Sequence, residues 1–205
     1  MATTYNSHAL PVAPNLLVRN FNLDTPNNVS TGDMTYIATC EGWPYLAVVL
    51  ELFSCCIVGW TIGPAITAAL PCHALDMVWH GRKPTQPDLP HRSRRQYASH
   101  RDTEVLAEHG IKASMSRKDN CWDNACSEML FGSLKVERLR GMELHNQREA
   151  KHATVDWLRR YNLSRMYFTL VYLSPERRVL RARTTIRLRI AVLYRYQVES
   201  SSKAP

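Results

Sequence analysis

Long apolar segments are missing from this sequence of 205 residues. No apolar run reaches the roughly 18 residues that a membrane-spanning helix needs. The chain also lacks the charged-then-apolar leader that opens secreted proteins. We therefore expect no membrane association and a cytoplasmic location.

Zinc-binding patterns are also missing. The six cysteines stand at positions 40, 55, 56, 72, 121 and 126. They form no C-x-x-C pair and have no matching pair of histidines, which makes a structural zinc site improbable. We interpret them as reduced thiols, with the adjacent Cys55 and Cys56 as small buried hydrophobic side chains in an apolar run.

Acidic residues are in deficit, with 18 Asp and Glu against 26 Lys and Arg, a net charge of +8. Residues 176–205 hold seven Arg and one Lys against two Glu, a net +6, so the rest of the chain is only about +2. A basic excess favours a polyanionic partner. The length allows one domain with a full core.

Three segments rich in β-branched and aromatic residues follow a polar lead-in. They are residues 33–39, 45–53 and 56–62, with turns at Gly42 and near Ser54. This spacing predicts an antiparallel meander of three strands.

Helical spacing begins after the meander. The pattern predicts a helix from Pro64 to Trp79 that Pro71 interrupts. It then predicts a short helix at 103–109, a strand at 111–115 and a long amphipathic helix at 148–161. Strands followed by alternating helices and strands are typical of an α/β sandwich with a mixed sheet.

Residues 114–140 read as a loop that leads into a helix. Asp123 or Asn124 can cap its N-terminus, since a short side-chain oxygen accepts from the first unpaired backbone N–H groups. The helix is predicted to end near Arg140.

One face of this helix carries an acid and a base. Leu130, Phe131 and Leu134 form a stripe that faces the core, and Glu128 and Lys135 lie beside it, within about 20° of each other. Taken alone, such a pair is typical of the exposed face of an amphipathic helix.

Two segments resemble a known family: residues 114–128 and the Leu-Lys-Val-Glu that ends at Glu137. Together they closely resemble the end of the catalytic core of bacterial insertion-sequence transposases (OrfB type). These transposases are related to retroviral integrases. Further motifs agree with the same family: Gly32–Ile37, Glu41–Val49, Val58–Trp60, Gln96–Ser99, Tyr161–Asn162 and Leu173–Pro175. The resemblance covers about residues 13–175.

The resemblance implies an RNase H-like fold, a mixed five-stranded sheet flanked by helices. Residues 1–28 would be an irregular lead-in, 29–175 the integrase-type catalytic core and 176–205 a poorly ordered basic tail. Residues 13–21 resemble the linker before the core, and we expect this chain to lack the helical DNA-binding region that precedes it in the family.

The resemblance also implies the site. Asp33 and Glu128 would be two of three catalytic, metal-binding carboxylates, lying within about 8 Å of each other. Phosphodiester cleavage and strand transfer use two divalent metals, and Mg²⁺, or Mn²⁺ in its place, takes such oxygen ligands. Lys135, Arg117 and Lys118 would contact DNA.

The second catalytic Asp of the family is missing. The family ends a buried strand in His-Ser-Asp-Arg-Gly-Ser-Gln-Tyr, about 35 residues before the Glu, whereas residues 89–97 hold no acid. If the 35 positions 93–127 are counted back from Glu128, Arg92 stands at the position of the family's second Asp. If Ser93 is aligned with the family's Ser instead, the Asp is deleted. Asp88 is the nearest acid, at the wrong end of the segment. Pro90 removes a backbone donor from a strand that should be interior.

Other family positions are changed as well. Glu51 stands where the family usually has Asp, and Cys55 and Cys56 replace basic residues. In the family's late His-Ser-x-Leu-Gly-Tyr run, the His, Ser and Gly are replaced by Tyr167, Phe168 and Val171.

We therefore expect a transposase or integrase catalytic domain for DNA integration and transposition that is inactive in metal-dependent cleavage. Its partners would be transposon-end and target DNA and, in an oligomer, further copies of itself or a partner transposase subunit. The alternatives are a non-catalytic nucleic-acid-binding protein and a decayed transposase fragment. Residues 180–190 would be either a DNA-contacting strand or a shifted-frame tail without selected structure, and the second is favoured.

Overall fold

The structure is a computed structural model. It describes residue 23 and residues 25–67, 69–82, 90–93, 112–115 and 125–182. Within these ranges, no helix is long and apolar enough to cross a membrane.

Three strands form the predicted antiparallel meander. They are β1 (Ser30–Tyr36), β2 (Tyr45–Glu51) and β3 (Cys56–Gly63), and β2 pairs antiparallel with both neighbours. The meander is therefore confirmed, although β1 begins and ends three residues earlier than predicted. The apolar alternation did not mark this start, because Ser30, Thr31 and Gly32 are small or polar.

Local hydrogen bonds hold both turns of the meander. Gly42 has φ +134°, which side chains rarely adopt, and it closes the first turn by pairing with Thr39. In the second turn the buried Glu51 carboxylate accepts from the backbone N–H groups of Phe53 and Ser54, each at 2.9 Å. Glu51 therefore has a structural role in the β2–β3 connection.

Two short strands extend the sheet beyond β1. They are β4 (Pro90–Ser93) and β5 (Lys112–Met115), and the strand order is β3-β2-β1-β4-β5. β4 pairs parallel with β1 and with β5, so β1 is the central strand of a mixed sheet. Pro90 does not prevent the interior strand, because it is the first residue of β4, a position at which strands tolerate proline.

One face of the meander packs against α1 (Ala69–Arg82). The prediction that this helix begins near Pro64 and is interrupted by Pro71 was wrong. Pro71 lies in the first turn of α1, where backbone N–H groups have no partner within the helix, so proline is tolerated. A Cβ atom on Gly59 of β3 would lie 2.1 Å from the Ala74 carbonyl oxygen, so α1 packs directly on the β3 backbone.

The other face carries the main core. The helix α2 (Ala125–Leu134) continues into a π-helix (Lys135–Leu139), and α3 (Gln147–Ser164) follows. The predicted stripe is confirmed, because its three side chains are buried in this core: Leu130, Phe131 and Leu134. The long helix predicted at 148–161 is confirmed as α3.

The chain continues past α3 into the predicted tail. A 3₁₀ turn (Phe168–Leu170) precedes a helix at residues 175–182, here called α4. Val179 of α4 is buried, and the Arg178 guanidinium lies 4.6 Å from the ring centroid of Phe53. Residues 176–182 therefore pack on the core, contrary to the expectation of a tail that is poorly ordered from residue 176.

Several predicted features lie outside the described residues. These are the lead-in before residue 23, the helix at 103–109, the caps Asp123 and Asn124, the cations Arg117 and Lys118, and residues 183–205.

Candidate active site

Asp33 is a buried carboxylate in the central strand. Its side chain is 3% exposed, and its Oδ1 accepts from the Met34 backbone N–H at 2.8 Å. Side chains alternate along a strand, so Asp33 shares a face of β1 with Thr31. A buried acid requires polar partners, and the Met34 N–H is one partner of Asp33.

That face of β1 meets the helix that carries Glu128. Thr31 Oγ1 and Ser127 Oγ lie 3.5 Å apart, and both side chains are buried. Glu128 follows Ser127 in the first turn of α2 and is exposed. The turn that carries Glu128 therefore begins beside the face of β1 that carries Asp33.

A second contact sets the direction of α2 along the strand. The Nζ of Lys135, directly after α2, lies 4.7 Å from the ring centroid of Tyr36, the last residue of β1. Since Thr31 contacts Ser127 and Tyr36 contacts Lys135, α2 runs alongside β1 in the same direction. Asp33 lies between these two contacts. The separation of about 8 Å between the carboxylates stays a prediction.

Glu128 and Lys135 are both exposed beside the buried stripe of α2. This arrangement agrees with the face predicted from the helical spacing. The π-helix that begins at Lys135 was missed, and nothing in the sequence pattern signals it. Such wide turns are frequent at functional sites.

The π-helix is held against α3 by Glu137. Its carboxylate accepts from the indole Nε1–H of Trp157 at 3.2 Å and forms an ion pair with Arg165. The Arg165 guanidinium in turn lies 5.1 Å from the ring centroid of Tyr167. Burial raises the pKa of the nearby Tyr161 phenol far above its usual range, so this ring remains neutral. These contacts hold the turn that positions Lys135.

One of the two alignments predicted from the resemblance puts the second acid's position at Arg92, which lies in the strand next to β1. Arg92 is in β4, in parallel register with Thr31 of β1. The four residues of β4 are Pro, His, Arg and Ser, so this strand supplies no carboxylate. Asp88 lies outside the described residues.

The resemblance implies a site for Mg²⁺, and the side chains described here can be compared with the ligands that this ion prefers. Asp33 and Glu128 offer the hard oxygen ligands that Mg²⁺ prefers. Among the residues that the structure describes, however, no three His, Cys, Asp or Glu side chains are grouped closely enough to hold a metal ion. The two described donors therefore fit Mg²⁺ in type.

An aromatic pair beside the site was not singled out from the sequence. The rings of Tyr36 and Trp43 stack with centroids 4.9 Å apart and planes 14° apart. Both rings are substantially exposed, Tyr36 at 45% and Trp43 at 56%. The sequence feature that could have indicated this pair is the position of Trp43 between the turn residues Gly42 and Pro44, since turns lie at the surface.

Comparison of the sequence with known proteins agrees with this architecture. Residues 24–121 match the sequence profile of the Integrase core domain. The chain is 43% identical over 176 residues to Transposase InsF for insertion sequence IS3A of Escherichia coli, covering 84% of this chain and 61% of that protein. It is 39% identical over 176 residues to the Insertion element IS600 uncharacterized 31 kDa protein of Shigella sonnei, covering 85% of this chain and 65% of that one. The chain therefore spans about three fifths of the length of the transposase.

Solved structures of retroviral proteins share the fold. The catalytic core domain of BIV integrase superposes with a TM-score of 0.59 at 17% identity, covering 78% of this chain and 98% of that one. The HTLV-2 integrase catalytic core domain in complex with magnesium gives 0.51 at 14% identity, covering 70% and 91%. The predicted α/β class and integrase-core fold are thereby confirmed.

Proposed function

We propose that this chain is a transposase catalytic domain that has lost metal-dependent cleavage, on the basis of its similarity to the Integrase core domain and to an insertion-sequence transposase. The proposal assumes the full RNase H-like core over residues 29–175, with its mixed sheet of five strands. Asp33 and Glu128 are its two remaining catalytic and metal-binding carboxylates.

The observation that carries the proposal is the alignment of α2 along β1. The Thr31–Ser127 contact and the Lys135–Tyr36 contact lie on either side of Asp33. This arrangement supports a site in which Asp33 and Glu128 act on a DNA strand and Lys135 binds the same strand.

Loss of cleavage follows from the charge in the second slot. Mg²⁺ requires oxygen ligands from several elements, and β4 offers an Arg where the family has its Asp. A guanidinium there would repel divalent cations, because like charges close together in a low-dielectric site interact strongly. In two-metal cleavage, one metal activates the attacking oxygen and the other stabilises the leaving oxygen. Asp33 and Glu128 alone would hold Mg²⁺ or Mn²⁺ too weakly for this reaction.

The retained chemistry is DNA binding. Lys135 is exposed on the π-helix, and Arg117, Lys118 and the basic tail add further cations. Phosphate contacts from such residues bind transposon-end and target DNA without reading sequence. The related HTLV-2 core is described in dimeric and trimeric forms, which supports assembly of this chain with itself or with a partner transposase subunit.

A second candidate is a non-catalytic nucleic-acid-binding protein. The net charge of +8 together with an Arg in the catalytic slot favours it. A decayed transposase fragment would share the same fold but would have no selected DNA affinity.

The test compares the native chain with a chain whose residues 89–95 are rebuilt to the family's His-Ser-Asp pattern. Each is supplied with the family's DNA-binding region, and cleavage and joining of transposon ends are measured with Mg²⁺ and with Mn²⁺. We expect no product from the native chain and product from the rebuilt one. Asp33→Asn in the rebuilt chain should abolish that product.

Two results would contradict the proposal. Cleavage by the native chain at the rate of the rebuilt one, if Asp33→Asn abolished it, would mean that another residue supplies the second acid. Cleavage by neither chain, with no binding of DNA ends, would contradict the assignment to the transposases' function.

A further inference from the structure

Two large aromatic rings are exposed at the end of β1. Tyr36 and Trp43 stack on each other, yet about half of each side chain remains in contact with solvent. Aromatic rings that are exposed side by side offer a flat apolar surface on which a planar ligand can stack. Since Tyr36 covers one face of the indole, the exposed part of Trp43 lies on its other face and its edges.

The backbone holds the pair in place before any ligand binds. Tyr36 pairs with Tyr45 at the end of the β1–β2 ladder. Beyond it, the Ile37 N–H donates to the Pro44 carbonyl at 2.9 Å, and the Thr39–Gly42 turn closes the connection that presents Trp43. A ligand that stacks here therefore does not have to order the loop, which favours affinity.

A cation stands beside the rings. The Lys135 ammonium lies 4.7 Å from the centroid of Tyr36, and the π-helix that carries it is held by Glu137 through Trp157 and Arg165. An aromatic face beside a fixed positive charge is complementary to a nucleotide, whose base stacks and whose phosphate pairs with the cation.

The surface favours an unpaired base. Inside a duplex each base is covered on both faces by its neighbours, and a terminal base pair exposes one face but is held by its partner. An unpaired base can turn on its own to place one face on Trp43. Lys135, which contacts the Tyr36 ring, follows Glu128 by seven residues, about 10 Å along a helix. A DNA strand end that lies beside Glu128 can therefore extend past Lys135 onto the rings.

We propose that Tyr36, Trp43 and Lys135, here called the stacking platform, bind an unpaired nucleobase at the end of a DNA strand. This inference rests on the proposed function, because it requires DNA as the partner. It adds a preference for unpaired ends over fully paired DNA.

The test uses the full chain and three fluorescently labelled DNA duplexes of equal length. One has blunt ends, one has a short single-stranded 3′ overhang, and one has the same overhang with abasic sugars. The abasic overhang keeps every phosphate and removes only the bases, so the difference in Kd between the last two isolates stacking. We expect the overhang with bases to bind about tenfold more tightly, the effect of stacking roughly one base.

Variants assign the effect to the platform. Trp43→Ala should abolish the difference between the two overhangs, and Trp43→Phe should retain most of it, because a ring is retained. Phe168→Ala is the matched control, since Phe168 is an exposed aromatic on another element, and it should leave the difference unchanged. Circular dichroism checks that each variant is folded.

The outcomes separate this inference from the proposed function. If the native chain binds DNA but binds both overhangs equally, the inference that the stacking platform binds an unpaired base is wrong, and the proposed function stands. If the native chain binds none of the three duplexes, both are wrong. If Trp43→Ala does not fold, the comparison of the two overhangs with the native chain decides the question.

Discussion

Val171 has a backbone conformation that its side chain disfavours. It lies at φ 56° and ψ 47°, in the left-handed region. A β-branched residue is a marked outlier there, and the left-handed conformation costs an L-residue about 1–2 kcal/mol. The resemblance described above places the family's Gly at this position, and Gly adopts the left-handed region without steric cost.

We expect Val171→Gly to stabilise the protein. Relief of the left-handed strain should exceed the gain in unfolded-state entropy, with a net effect of about 0.5–1 kcal/mol. That corresponds to an increase in Tm of about 1–4 °C for a chain of this size, which differential scanning calorimetry can measure. Thr169→Gly in the same turn is the control; Thr169 has no positive φ, so its replacement should destabilise. A Val171→Gly protein less stable than the native chain would contradict the strain argument.

Cys55 has a thiol that resists ionisation. Burial is the main cause that raises its pKa to about 12, and nearby Cys126 and Glu51 add to it. The pKa in the folded protein lies above the unfolded value of about 8.5, so the unfolded chain loses the Cys55 proton first as pH rises. The free energy of unfolding is therefore unaffected by Cys55 below pH 8.5 and decreases as pH rises from 8.5 towards 12.

Alkylation should therefore discriminate between Cys55 and Cys40. The thiolate is the reactive form, so at pH 8 iodoacetamide should modify the exposed Cys40 much faster than Cys55. Peptide mass spectrometry over time measures both rates in one sample. Equal rates in the folded protein would mean that Cys55 ionises normally, and equal rates in urea serve as the control.

At the scale of elements, the contact between α1 and β3 depends on Gly59. An added Cβ would lie 2.1 Å from the Ala74 carbonyl oxygen and 2.8 Å from Val78 Cγ2. The backbone of α1 would have to move away from the sheet, since a carbonyl oxygen cannot rotate aside as a side chain can.

Gly59→Ala should destabilise the fold by about 3 kcal/mol, the upper range for overpacking a well-packed core. Urea unfolding followed by circular dichroism measures the change. Gly132→Ala is the control, because nothing lies within 4 Å of its added Cβ and alanine favours helices by about 1 kcal/mol over glycine. If both substitutions had the same effect, close packing of α1 on β3 would be refuted.

At the scale of the whole molecule, the basic charge is concentrated at the C-terminal end. Residues 183–205 carry four Arg and one Lys against one Glu, whereas residues 176–182 belong to α4, which packs on the core through Val179. A truncation that tests the tail should therefore retain α4.

Removal of residues 183–205 should weaken DNA binding and flatten its salt dependence. Each phosphate contact contributes about −0.9 to the slope of log K against log salt, so loss of five cations should reduce the magnitude of the slope by up to about 4.5. Fluorescence anisotropy across a salt series measures it, and Lys135→Ala, which removes one cation, is the control with a change of about 1. An unchanged slope after truncation would show that the tail does not contact DNA.

Much of the fold could be predicted from local patterns. β2, β3 and α3 lie where alternation and helical spacing placed them, and the buried stripe of α2 was named residue by residue. These features depend on which face of a short segment is apolar, and that information is contained in the segment itself. The family motifs added the pairing of Asp33 with Glu128 as candidate site residues.

The absence of an acid from residues 89–97 and the charge of the chain were thus available from the sequence by itself. Tertiary structure alone decided the contact of Thr31 with Ser127, the π-helix at Lys135 and the stack of Tyr36 on Trp43. It also decided that α4 packs on the core and that Pro71 is tolerated within α1. These features join residues that are distant along the chain, or depend on where an element begins, so their energies arise only when the elements pack together.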